Sequence, residues 1–232
     1  MILVDKIFLA YVFFLKKLRT LFIKIFSRLL FVKNNNIKKI LVNRDGAFGD
    51  SIVALPALSI IRQNYPSAEI DLITFSDHGI TFADFDLKDG LVNNILIKSK
   101  RNRSKTLREL KQNNYELFIQ LPQNLGLYKS LRNMIVVRFF MNIKSAFGWD
   151  CGRIKFFIKT QKRHLSIPTE TMRLLNNLKD EGLYGEIHYP IKAIEPANQT
   201  ITNLLKQKTA VFIIGGKLKI KKWPIENWVK LS

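Results

Sequence analysis

Apolar residues along this chain follow two periods. Short runs of strand length recur at Ile40–Val42, Glu69–Phe75, Leu91–Ile97, Tyr115–Leu121 and Ser145–Trp149. Between them, apolar residues return at helical spacing. Ile52, Leu55, Leu58 and Ile61 predict a helix after the first run, and Thr106–Lys111 and Leu127–Met141 predict two more. Thr169-Glu170 opens a further helix, with Met172, Leu174, Leu175 and Leu178 on one side and Glu181-Gly182 as its end. Asn64-Tyr65-Pro66 and Pro122–Gly126 supply turn chemistry between elements. Strands alternating with helices predict an α/β chain with a Rossmann-like parallel sheet.

The first strand–helix junction carries the candidate chemistry. Its apolar run breaks at Gly46 and Gly49, which permit positive φ and close approach of a ligand to the backbone. Asp50 falls where the helix begins, beside N–H groups that have no partner within the helix. Arg44 lies at the same strand edge, placed either to bind an anion or to pair with Asp50. Ser76-Asp77-His78-Gly79 ends the second strand on the edge where open α/β sheets bind ligands. No nucleophile elbow accompanies it, so an ordinary polar loop is the favoured reading.

Beyond Glu181-Gly182, Pro190–Asn198 reads as an interdomain linker. A helix over Gln199–Lys206, a buried strand over Ala210–Ile214 and Gly215-Gly216 follow. Lys221-Lys222-Trp223-Pro224 then precedes the amphipathic start Ile225, Trp228, Val229 and Leu231. A lysine in such a loop, next to a helix N-terminus, suits a phosphate. The alternative is that Lys221 is one of several solvated bases between Lys217 and Lys222.

Residues 1–33 are apolar and basic together. Their longest uncharged run, Ile7–Leu15, makes about 14 Å of helix, against roughly 30 Å of hydrocarbon in a bilayer. A simple membrane span is not expected, and neither is a signal peptide, since Lys16 and Lys17 follow the run without a small-residue cleavage site. Leu15, Leu18, Phe22, Ile25 and Leu29 share one helical face, flanked by Phe14, Leu21 and Phe26, with Lys17, Lys24 and Arg28 opposite. That pattern predicts a helix lying in an anionic membrane interface. The competing expectation is a helix packed on its own domain. The expected organisation is therefore a basic amphipathic segment over 1–36, a Rossmann-like domain over 37–190, and a linker with the start of a second domain over 191–232.

Charge changes the picture of partners. The chain has 232 residues, 38 Lys and Arg against 18 Asp and Glu, and a formal charge of +20, which calls for an anionic partner. The basic run Lys98–Lys105 suits the phosphates of a lipid-linked sugar or of nucleic acid, with solvated surface the favoured reading. No aromatic residue interrupts Lys98 to Asn114, so stacking on nucleic-acid bases is disfavoured there. Cys151 is the single cysteine, and His78, His164 and His188 lack metal-ligand spacing. No metal site is expected.

Arg44, Gly49-Asp50 and Pro56-Ala57-Leu58 at their spacing resemble the N-terminal signature of glycosyltransferase family 9, the lipopolysaccharide heptosyltransferases. The lysine two residues before Trp223-Pro224 is similar to that family's second-domain motif. The resemblance implies a GT-B fold, two Rossmann-like domains across a cleft, of which this chain holds the first and one βα unit of the second. It implies an inverting, metal-independent transfer of a heptose-like sugar to a lipopolysaccharide-type, lipid-linked acceptor. The donor would be a nucleotide-sugar of the ADP-heptose kind, with no other cofactor. By resemblance, Asp50 is the catalytic base, and Arg44, Gly49, Lys221 and Trp223 bind substrate. The expected location is cytoplasmic, peripheral on the inner face of a bacterial inner membrane. Family members continue through a complete second domain where this sequence stops, at Ser232. A truncated, inactive relative that binds membrane or acceptor, and a basic nucleic-acid-binding module, are the other readings.

Overall fold

A computed structural model describes residues 3–34, 36–46, 48–75, 87, 90–98, 103–121, 126–149 and 169–191. Two compact units divide the chain, Met1–Lys192 and Ala193–Ser232; the described residues all belong to the first.

Among the described residues five parallel strands form one sheet. They are β1 (Lys39–Asn43), β2 (Glu69–Phe75), β3 (Asn94–Lys98), β4 (Leu117–Gln120) and β5 (Ser145–Phe147), in the order β3-β2-β1-β4-β5. The chain moves outward from β1 through β2 to β3, then returns to β1's other side for β4. The order reverses between β1 and β4, and open α/β sheets bind ligands at the C-terminal end of such a junction.

Among the described residues six helices accompany the sheet: α1 (Leu3–Leu30), α2 (Phe48–Ile52), α3 (Leu55–Asn64), α4 (Arg103–Gln112), α5 (Leu127–Ile135) and α6 (Glu170–Lys179). A π-helical turn, Val136–Phe140, extends α5. Alternation along the strands sorts the core into two layers. Ile40, Val42, Ile70, Leu72, Leu117 and Ile119 face α3 and α6. Leu41, Ile73 and Phe118 face α1, α4 and α5.

β2 runs over the residues expected. Helix α5 with its π turn covers the predicted Leu127–Met141 to within one residue. Thr169 caps α6 by accepting a hydrogen bond from the Met172 amide. Past α6, Gly182 takes φ 85°. The Leu183 amide donates to Leu178 and the Gly182 amide to Lys179, a Schellman ending.

Three expectations change. The single helix expected after β1 is two. Pro56 lacks an amide to donate to Ile52, and its ring crowds that turn, so the chain breaks between α2 and α3. The third strand starts at Asn94 rather than Leu91. There the Asn93 side chain accepts from the Ile70 amide and takes the place of a strand neighbour.

Helix α1 is the third change. It docks on the domain through Ile23, Phe26 and Leu30, a stripe set beside the one predicted. Phe31 follows it into the core and stacks on Trp149, which stacks in turn on Phe118. The Val32 amide donates to Lys144, and Ser145 Oγ donates back to Val32. Burying Ile23 and Phe31 favours docking by about 3–6 kcal/mol. The predicted face, Leu18, Phe22, Ile25 and Leu29, stays exposed. No described helix is long and apolar enough to cross a membrane.

An extended strap, residues 183–191, runs back over α3. Gln63 exchanges hydrogen bonds with the Glu186 backbone, Asn64 donates to Tyr184, and Ser59 Oγ lies 2.8 Å from His188 Nε2. This histidine serves the fold, as a bland reading of its sequence position suggests.

Candidate active site

The site is built at the C-terminal end of β1. The ladder continues one residue past the strand, since the Arg44 amide donates to Ile73 of β2. Gly46 then turns the chain with φ 152°, a value that favours glycine. Gly49 does not share this conformation; it is the second residue of α2. Beyond its chain neighbours and its own helix backbone, no described atom lies within 4 Å of where a Cβ on Gly49 would sit. The close approach expected of Gly49 therefore has room, although its backbone is ordinary.

Asp50 stands in the first turn of α2, where the helix dipole favours negative charge. Its carboxylate is half-exposed, and Arg44 Nη2 lies 3.8 Å from Oδ1. Arg44 also donates through Nε and Nη2 to the Asp50 carbonyl, at 3.3 and 3.0 Å. The arginine side chain is 0% exposed. Burial holds its guanidinium below its ordinary range, a fall opposed by Glu170 first and Asp50 second. A buried charge survives only where partners replace water. Of the two expectations for Arg44, the pairing with Asp50 is present, and Glu170 is a second anion beside the same guanidinium.

Glu170 comes from the first turn of α6. Its Oε1 lies 3.6 Å from Arg44 Nη1 and 2.6 Å from Arg173 Nη2, while Arg173 Nε donates to Oε2. The neighbouring Thr171 hydroxyl donates to the Val53 carbonyl at the break between α2 and α3. One helical turn of α6 thus braces both ends of the segment that carries Asp50.

A polar row crosses the same sheet edge. Lys98 Nζ, at the end of β3, donates to Asn43 Oδ1 at 2.7 Å and lies 2.8 Å from Asp45 Oδ1. Asn43 Nδ2 donates to Gln120 Oε1 across the β1–β4 junction. Lys98 is therefore part of the sheet edge and not merely one charge of a solvated run. Asn43, Gln120 and Arg173 escape the sequence reading, while Glu170 enters it only as a helix start and Lys98 only as one of a basic run. The available signal was position, since three of them close strands at the edge where ligands bind.

Arg44, Gly49 and Asp50 come together as one cluster. Lys221 and Trp223 lie outside the described residues, as do Ser76–Gly79, Cys151, His78 and His164. Asp50 is the accessible carboxylate of the cluster, beside a fully buried cation. Such a group can accept a proton from a hydroxyl presented at the sheet edge.

No protein-family model and no curated protein sequence matches this chain. Solved structures do. A glycosyl transferase family 9 protein from Veillonella parvula DSM 2008 matches with a TM-score of 0.51 at 16% identity, over 86% of this chain and 60% of that one. E. coli heptosyltransferase WaaC, solved with ADP, matches with a TM-score of 0.50 at 18% identity, over 83% and 61%. E. coli ADP-heptose lps heptosyltransferase II matches with a TM-score of 0.50 at 17% identity, over 84% and 60%. This chain spans less than two thirds of the length of each, with 60% of the first covered. Across that length it has the Rossmann-like, GT-B type fold of the heptosyltransferases.

Proposed function

We propose that this chain is the acceptor-side part of a family 9 glycosyltransferase of the heptosyl type. The observation that carries the reading is Asp50: a half-exposed carboxylate at a helix start, held by a fully buried arginine, at the ligand-binding edge of the sheet. In the proposed reaction its carboxylate takes the proton from an acceptor hydroxyl. The hydroxyl oxygen forms a bond to the anomeric carbon of a nucleotide-sugar from the face opposite the leaving group. The bond to the diphosphate oxygen breaks, and the nucleoside diphosphate departs with the electron pair. The configuration at carbon inverts.

The donor is of the ADP-heptose kind, a choice supported by the ADP bound to one structural neighbour. By the resemblance Lys221 would meet the departing diphosphate and Trp223 would also bind substrate, and Gly49 leaves room for the acceptor. The acceptor is a lipid-linked saccharide of the lipopolysaccharide type, and the work is done at the inner face of a bacterial inner membrane. No cofactor or metal is required, because the base is a carboxylate and the leaving charge is met by lysine.

The test is sugar transfer in the intact protein with Asp50→Ala and, separately, Lys221→Ala. The reading expects Asp50→Ala to lower kcat and Lys221→Ala to raise the donor KM. Transfer unchanged in both variants would contradict it.

A further inference from the structure

Helix α1 carries two apolar stripes, and the domain uses only one. Ile23, Phe26 and Leu30 dock against the sheet's second layer. Ile7, Tyr11, Phe14, Leu18, Leu21, Phe22, Ile25 and Leu29 are exposed. At about 100° per residue these eight fall in one band roughly 100° wide, centred about 120° round the helix from the docked stripe, with Phe22 at its edge stacked on docked Phe26. Lys17, Lys24 and Arg28 line one border of the band.

Three occupants suit such a band: a lipid surface, a second copy of the chain, or another protein. The spacing of Ile7, Tyr11, Phe14, Leu18, Leu21 and Ile25 resembles a coiled-coil seam, which would favour a second copy. Charge decides against that. From Ile7 through Phe31 there is no Asp or Glu, while Lys16, Lys17, Arg19, Lys24 and Arg28 all fall within it. Two copies paired antiparallel along the band would set this basic border against itself; Asp5, the one acid of α1, lies before Ile7, and Asp180 pairs with Lys24 at 3.4 Å, leaving Lys17 and Arg28 facing their counterparts. A sheet of lipid phosphates complements the same border, and the long basic side chains can reach it while the Phe and Leu side chains bury.

We propose that the exposed band of α1 is the surface by which this protein lies on an anionic bilayer. The helix lies along the surface and does not cross it. The docked stripe fixes α1 to the sheet, so the lipid surface holds the whole domain rather than a tethering tail. The inference names the surface that would meet the membrane in the function proposed above. Its test contains no turnover, so failure here leaves the transfer chemistry standing.

The test is flotation of the intact protein with phosphatidylglycerol–phosphatidylethanolamine vesicles and with phosphatidylcholine vesicles. One variant combines Leu18→Glu, Leu21→Glu and Ile25→Glu; a second combines Lys17→Glu and Arg28→Glu. Thermal unfolding of both should match the unaltered protein, since none of these side chains belongs to the core. The proposal expects the triple variant to bind anionic vesicles about a hundredfold or more weaker. It expects the charge variant to lose the preference for anionic over neutral vesicles. The proposal is overturned if the triple variant binds as tightly as the unaltered protein, or if the unaltered protein binds both vesicle types equally. It is also overturned if the unaltered protein binds neither vesicle and sediments as a dimer that the triple variant dissociates.

Discussion

Arg44 grips Asp50 by its backbone as well as by its charge. Two guanidinium nitrogens donate to the Asp50 carbonyl, at 3.3 and 3.0 Å, and a third contact at 3.8 Å reaches the carboxylate. The backbone bonds fix where α2 begins, and so fix where the carboxylate stands. The weaker charge contact leaves that carboxylate half in solvent, where a substrate hydroxyl can reach it.

Glu170 is the second anchor of that arrangement. Removing it leaves Arg44 buried with one fewer anion and frees Arg173 from its fork. Glu170→Ala should destabilise the protein by about 2–4 kcal/mol, less than a sealed ion pair because Arg173 can reach water. Urea unfolding measures this. A change within experimental error would show that α6 does not brace the Asp50 segment.

Tyr115 predicts an alkaline pH dependence. Its hydroxyl donates to the buried Asp71 carboxylate at 2.6 Å. Burial first, and Asp71 second, push the phenol above its ordinary range. A phenol whose pKa is raised by folding contributes stability that is fully present below the unfolded value, near 10. That stability is lost as pH rises through the folded value. Tyr115→Phe should cost about 1–3 kcal/mol at neutral pH, because Asp71 keeps only the Asn94 bond among those described. The variant should also lose part of the protein's destabilisation above pH ~10. Denaturant midpoints across the alkaline range provide the comparison; parallel profiles for the two proteins would count against the assignment.

Gly148 has no room for a side chain. It takes φ 91° directly after β5, and a Cβ there would fall on the Gln120 carbonyl at the end of β4. Gly148→Ala should cost about 1–3 kcal/mol from the backbone conformation alone, with the clash added. Loss of thermal stability is the readout, and an unchanged midpoint would mean that β5 does not close on β4 as described.

The two stripes of α1 should separate cleanly in a stability assay. Ile23→Ala opens a cavity beneath a docked helix and should cost about 2–4 kcal/mol. Leu29→Ala, on the exposed band, should change stability by less than about 0.5 kcal/mol. Equal effects would mean that α1 is seated on a different face.

Much of this fold could be read in the sequence because its signals are local. The period of Ile70, Leu72 and Ile73, the Thr169 cap and the Glu181-Gly182 ending each act within a few residues. The break before Pro56 is equally local, but the helical periodicity of Ile52, Leu55 and Leu58 masks it. What escaped depends on residues far apart in the chain. Nothing near Glu170 marks it as a partner of Arg44, and nothing near Lys98 marks it as a partner of Asn43. The helical pattern of α1 showed an apolar band and a basic border. It could not reveal a second stripe of only Ile23, Phe26 and Leu30, whose meaning comes from the sheet beneath them.

The most direct test of the account is kcat for sugar transfer by the intact protein carrying Asp50→Asn. Asparagine keeps the backbone carbonyl that Arg44 holds and nearly the same shape, but it cannot take a proton at neutral pH. The account predicts a fall in kcat of about 10²–10⁴-fold, with donor KM nearly unchanged and the fold intact. A variant that turns over within a few-fold of the unaltered protein would contradict it.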